Sequence, residues 1–181
     1  MEKQTIKLET ERLILRKFKL SDAKDMFESY CGRDIVTKYL RWLPHKSIED
    51  TIKYLTEIVL PKYEQDYSYC WAIELKETGK VIGCVDVHTK DLLTKKCTIG
   101  WVLSDDYWSR GIMTEAAQKI VDYMFEEGFV RIQSHHQIGH IASGKVMQKI
   151  GMTYEGRLKK YDIDRFGQIV DCEIYAIIKG E

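Results

Sequence analysis

The residues best suited to chemistry lie in one run, Ile99-Gly100-Trp101-Val102-Leu103-Ser104-Asp105-Asp106-Tyr107-Trp108-Ser109-Arg110-Gly111-Ile112-Met113-Thr114-Glu115-Ala116. A strand-like apolar segment passes through a short polar loop straight into a helix-forming one. The first backbone N–H groups of a helix have no intrahelical partner, and the aligned peptide dipoles place partial positive charge there. Such a terminus suits a phosphate or pyrophosphate. Gly111 lets the backbone come close to an anion, and Arg110 offers a charge-assisted contact. The run is neither G-x-G-x-x-G nor a Walker loop, so it does not support a dinucleotide or nucleoside triphosphate. Alone it is a weak signal, because many strand–loop–helix junctions hold a glycine and bind nothing.

Other reactive side chains are scattered. Cys31, Cys70, Cys84, Cys97 and Cys172 are odd in number and form no C-x-x-C, so neither a disulfide framework nor a thiolate zinc site is expected. A reducing cytoplasm fits that usage. Cys84 and Cys97 lie in strand-like segments and read as small buried hydrophobes. His135, His136 and His140 invite a metal reading, but neighbouring strand residues face opposite ways. No Asp, Glu or Cys cluster matches them in the sequence, so no metal is expected. Tyr39, Trp42, Tyr67 and Trp71 are candidates for a pocket wall, with plain core packing as the competing reading.

The elements that must position these residues come from a chain of 181 residues, 44% hydrophobic, which is enough for one domain over residues 1–181 with a sizeable core. Basic and acidic residues balance at 28 each, so no global field draws nucleic acid or an anionic membrane. The charged start of the chain lacks the apolar stretch of a signal peptide, and no apolar run approaches the roughly 18 residues of a membrane span.

Patterning predicts a strand over Arg12–Phe18 and a helix from about Leu20 to Tyr30. A second helix is capped by Ser47, carries Ile48, Ile52, Leu55 and Val59 on one side, and is kinked or ended by Pro61. Three strands follow at Tyr69–Leu75, Val81–His88 and Lys95–Leu103, then a helix over Ile112–Glu127 ending at Gly128. A strand at Val130–Gln137, a helix at Ala142–Ile150, and strands at Thr153–Ile163 and Gln168–Ile178 complete the order. Adjacent strands imply antiparallel pairing, and the later crossovers allow a parallel pair. The fold class is α+β, with a mixed, mostly antiparallel sheet of about seven strands and about four helices.

Together these segments resemble the GNAT superfamily of N-acetyltransferases, and within it the branch containing the ribosomal-protein N-terminal acetyltransferases. Ile99-Gly100-Trp101 followed by Tyr107 to Ala116 is similar to the family's acetyl-CoA motif. Thr10-Glu11-Arg12-Leu13-Ile14-Leu15-Arg16 is similar to the branch's opening strand. Ala142-Ser143 with Val146, Lys149, Ile150 and Gly151 resembles its second cofactor-proximal helix, and Tyr154-Glu155-Gly156 the strand after it. The resemblance implies acetyl-CoA as cosubstrate, an amine acceptor (a protein N-terminus or a small molecule) and no metal; it leaves a homodimer open. It places the pyrophosphate on the amides of Arg110, Gly111, Met113 and Thr114, within a cofactor site that also takes in Trp108, Ser109, Ile112, His140 and Ser143. The pantetheine arm is expected beside Trp101, Val102 and Leu103, bonded like an added strand. Lys145 and Lys149 are candidates for the adenosine phosphates, against the default of a solvated helix face.

Four positions depart from the family pattern. Met113 stands where Gly or Ala is usual, so its side chain must turn away from the phosphates or the loop must shift. His140 replaces a cofactor-contacting Asn, Met152 replaces a Phe, and Thr98 occupies the place of a glutamate that serves some relatives as general base. A lysine amine of pKa about 10.4 is neutral only about once in a thousand near pH 7.5, whereas an α-amine near 7.8 is about one third neutral. Without the glutamate, attack by an amine of low pKa is easier to explain; His140, Asp86 and His88 are substitute bases. Ser143 is the first candidate to protonate the leaving thiolate, against a reading as a helix cap, with Tyr154 and Tyr161 behind it. A non-catalytic acyl-CoA-binding module is the rival reading, motivated by the losses at positions 98 and 140.

Overall fold

The computed structural model describes residues 4–180. Its centre is an eight-stranded sheet in the order β1-β2-β3-β4-β5-β6-β8-β7. The strands are β1 (Leu8–Glu9), β2 (Leu13–Arg16), β3 (Cys70–Leu75), β4 (Val81–Asp91), β5 (Lys96–Leu103), β6 (Arg131–Gln137), β7 (Thr153–Ile163) and β8 (Ile169–Ile178). All neighbours are antiparallel except β5 and β6. The helices are α1 (20–31), α2 (Asp34–Thr37), α3 (48–62), α4 (Ile112–Glu126) and α5 (Ile141–Lys149).

The sheet is covered on both faces. Trp71 and Ile73 of β3 face α4 and α5, which bury Ala116, Ile120, Met124 and Met147 in the larger core. Cys70 and Ala72 point the other way, against Met26, Tyr30, Leu55 and Val59 of α1 and α3. This is the period-2 alternation of a strand buried on both sides. Arg16 ties α1 to the sheet by bonding Asp22 (2.8 Å) and Glu74 (2.5 Å), and these partners hold its guanidinium in the charged form. No helix among the described residues is long and apolar enough to cross a membrane.

The mixed α+β architecture agrees with the sequence reading, with one strand and one helix added. β1 is a two-residue edge strand and α2 a single turn, both too short to carry a periodic signal. β4 runs three residues past His88 because a bulge between Val87 and Thr89 lets its pairing with β5 continue. α3 ends at Lys62, one residue past Pro61, in keeping with the expected stop. The helix widens to π-type turns over Leu55–Val59, where the Leu60 N–H bonds Leu55 O, and Pro61 starts a last turn in which no N–H is needed. Ile52 is not on the buried side: it is 38% exposed, and Thr51, Leu55 and Val59 face inward.

Candidate functional site

β5 and β6 pair only from Lys96–Thr98 to Arg131–Gln133. Ser134 Oγ donates to Ile99 O at 2.8 Å where the strands part. Beyond that point β5 stays with β4 as far as Leu103, and β6 stays with β8 as far as Gln137. The facing edges of β5 and β6 therefore diverge with backbone groups available to an extended ligand.

A cavity of about 490 Å³ opens on the side of this wedge nearest α4 and α5. Its wall brings together Trp101, Val102, Leu103, Trp108, Ser109, Gly111, Ile112, Met113, Thr114, His140 and Ser143. Among the expected cofactor residues Arg110 is the exception: its guanidinium stacks over the Tyr107 ring at 5.5 Å, and only its backbone belongs to the turn. Lys145 and Lys149 do line the cavity. Ile35, Val36, Lys38, Tyr39 and Leu40, in and after α2, cover it on the other side; of these the sequence pointed only to Tyr39, because α2 is one turn long.

The turn into α4 is shaped by two left-handed residues, Ser109 at φ 61° and Gly111 at φ 75°. Trp108 Nε1 donates to Leu103 O at 2.9 Å and closes the loop against the end of β5. The Glu115 N–H bonds Gly111 O at 3.0 Å, so the amides before it face the cavity mouth. Met113 is only 5% exposed and packs into the core, which leaves its amide accessible without its side chain intruding. A clamp from the start of the chain fixes this turn. Glu115 accepts from Thr10 Oγ1 (2.5 Å), Arg12 N (2.9 Å) and Arg12 Nε (2.7 Å), while Arg12 Nη1 donates to Arg110 O (3.0 Å). The sequence offered both halves of this clamp, but nothing in it shows that residues so far apart meet.

A second cavity of about 790 Å³ opens on the opposite side of the wedge, lined in part by Trp42, Asp86, His88, His135, Tyr161 and Asp162. The two cavities share Tyr39, Leu40, Trp101, His140 and Ser143. His140 begins α5 with its ring stacked on Tyr39 at 4.5 Å; burial, with His136 adding to it, lowers its pKa to about 4. It is a weak proton acceptor, since its environment disfavours the imidazolium it would become. Ser143 is the third residue of α5 and not its cap; that position belongs to His140, whose side chain makes no cap bond.

Thr98 is buried and already bonded, to Thr89 Oγ1 at 2.8 Å and to Gln133 Nε2 at 3.2 Å. Trp71 is fully buried and donates to Ile6 O at 2.8 Å, so it is core; Tyr67 and Tyr154 line neither cavity. All five cysteines have their pKa raised by burial, Cys97 to about 12 and Cys172 to about 11, which keeps them protonated and disfavours an acyl-thiol intermediate. The donor cluster missing from the sequence pattern does exist in space. Potential ligand atoms of His135, Asp162 and Cys172 lie within 4.8 Å of one another, although Asp162 is bonded to Arg41 at 2.6 Å and His135 at 3.2 Å. Cys172 reaches this group from β8, far along the chain.

The acetyltransferase (GNAT) domain family matches residues 12–153. The uncharacterized N-acetyltransferase YoaA of Bacillus subtilis is 30% identical over 173 residues, which cover 95% of this chain and 96% of YoaA. A GNAT-family acetyltransferase from Bacillus anthracis is similar in structure, with TM-score 0.83 and 29% identity over 97% of this chain and 100% of that one. RimL, the ribosomal L7/L12 α-N-protein acetyltransferase solved with coenzyme A, shares the fold with TM-score 0.80 over 93% of this chain and 95% of its own, at 21% identity. With the split sheet, the anion-facing turn and these likenesses in hand, the chain belongs to the GNAT acetyltransferase family and is an acetyl-CoA-dependent N-acetyltransferase.

Proposed function

We propose that this chain, folded as one domain, transfers the acetyl group of acetyl-CoA directly to a primary amine, either a protein N-terminal α-amine or the amine of a small molecule. One observation carries the reading: two cavities on opposite sides of the split sheet meet at Trp101, His140 and Ser143. The diphosphate fits the amides of Gly111, Met113 and Thr114, and the pantetheine amides fit the free edge of β5 at Trp101–Leu103. On this reading the thioester lies at the shared residues and the larger cavity takes the amine. Holding the two reactants in line there converts a bimolecular step into an intramolecular one.

Ser143 is the residue to return a proton to the leaving thiolate, whose thiol pKa is about 8.5. The raised cysteine pKa values support direct transfer over an acyl-enzyme route. The experiment is turnover of acetyl-CoA against panels of α-amines, alkylamines and N-terminal peptides, with thiol release followed. Release with at least one amine class is the expected result. Tight CoA binding with no release for any amine would instead favour a regulatory acyl-CoA-binding module.

A further inference from the structure

We infer that His88, oriented by Asp86, is the general base that takes the proton from the attacking amine. The inference rests on the reading that the amine enters through the larger cavity. Alternation along β4 puts Asp86 and His88 on one face, and a bulge brings Thr89 onto it as well. Asp86 pairs with Gly100, Val87 with Ile99 and Thr89 with Thr98, so His88 is the unpaired extra residue. Asp86, His88 and Thr89 then all line the larger cavity.

His88 reaches end-on over Gly100 of β5, which it can do because that residue has no side chain: the would-be Cβ is 2.9 and 3.0 Å from the ring carbons on either side of Nε2. A Cβ on Gly100 would sit 2.0 Å from His88 Nε2. Gly100 immediately precedes Trp101, one of the residues the two cavities share, so Nε2 is held beside the junction where the thioester is placed. On the other edge of the ring, Nδ1 stands 3.3 Å from Asp86 Oδ2. That pairing favours the tautomer with the proton on Nδ1 and leaves the lone pair on Nε2, at the stretch of cavity wall formed by Gly100. The side chain is about half exposed, so an incoming amine can reach it.

The alternatives at the site lack this geometry. His135 points Nε2 at Asp162, 3.2 Å away, and its Nδ1 is buried from any substrate. The charged groups facing His88 are Asp86, which favours its protonated form, and Arg41 and Lys62, which oppose it; His135 lies close enough to sense its charge. Asp86 dominates, and the imidazole binds a proton more readily than usual.

In the step itself, the neutral amine nitrogen forms its bond to the thioester carbon and Nε2 takes one of its protons. The C–S bond then breaks, and the thiolate takes up one proton. The imidazolium gives its proton to solvent or back through the site, so one proton leaves nitrogen for each that reaches sulfur.

The test uses the amine acceptor found by the turnover screen. His88→Ala is expected to lower kcat about a hundredfold or more, as removal of a positioned base does, and to leave CoA affinity by calorimetry unchanged. Added imidazole should restore part of the rate. Asp86→Asn should move the acid limb of the kcat–pH profile to lower pH, because Asp86 holds the imidazolium. Gly100→Ala should slow the unaltered chain by pushing His88 aside, and should add little in the His88→Ala background, where nothing remains to displace. A kcat for His88→Ala within about threefold of the original, against the usual hundredfold of a base, overturns the assignment alone, as does an acid limb that Asp86→Asn leaves in place. No acetyl transfer by the unaltered chain overturns the broader reading as well.

Discussion

Replacing Gly111 by alanine isolates the anion-facing turn from everything else in the molecule. Gly111 holds φ 75°, in the left-handed region that costs a residue with a side chain about 1–2 kcal/mol. Space adds nothing to that cost, because the new Cβ would lie 3.6 Å from Arg12 Nη2, an ordinary contact. Alanine also restricts the unfolded chain, which offsets roughly 0.4–1 kcal/mol. The net destabilisation is therefore about 1 kcal/mol, or about 2–4 °C in Tm for a chain this long. The methyl group additionally stands where a phosphate oxygen must approach the amides. Loss of one charge-assisted hydrogen bond, about 1.5–3 kcal/mol, corresponds to at least a tenfold weaker Kd for CoA. Thermal unfolding without ligand reads the first quantity, and calorimetry with CoA reads the second. Gly111→Asn is the control, since asparagine tolerates the left-handed region and should recover much of the stability but not the affinity. If Gly111→Ala kept both Tm and CoA affinity, the argument that this turn presents bare amides to the diphosphate would be wrong.

Three further outcomes are expected. The low His140 pKa, about 4 against an unfolded value of 6.5, means that the unfolded chain binds a proton the folded chain refuses. Stability should therefore fall as pH drops from 6.5 towards 4, by about 2–3 kcal/mol from this residue, and urea titrations of His140→Asn should lack that component. Arg12→Met leaves the Glu115 carboxylate uncompensated beside the anion site. CoA binding should weaken, and restoring it with Glu115→Gln in the double variant would show the coupling between the two positions. Met147→Ala, at a fully buried position under α5, should cost about 2–5 kcal/mol by calorimetric unfolding while leaving the amide-bearing turn intact.

The turn proposed to hold the diphosphate was largely legible in the linear sequence because it is local. A strand end, a glycine turn and a helix start must be neighbours along the chain to place bare amides in one spot, and residues 99–116 carry all three. The α+β class followed from the same kind of local periodicity. Short pieces such as β1 and α2, and the π-type turns of α3 before Pro61, escaped because they depend on pairing partners and on a shift of hydrogen-bond register that no repeat pattern announces. The rest of the site was decided by contacts across the sheet. Arg12 meets Glu115, Gly100 makes room for His88, a bulge brings Thr89 onto the face of Asp86 and His88, and the parting of β5 from β6 joins two cavities at Ser143. Each of these needs residues distant in sequence to be brought to a fixed register, and only the folded sheet supplies that register.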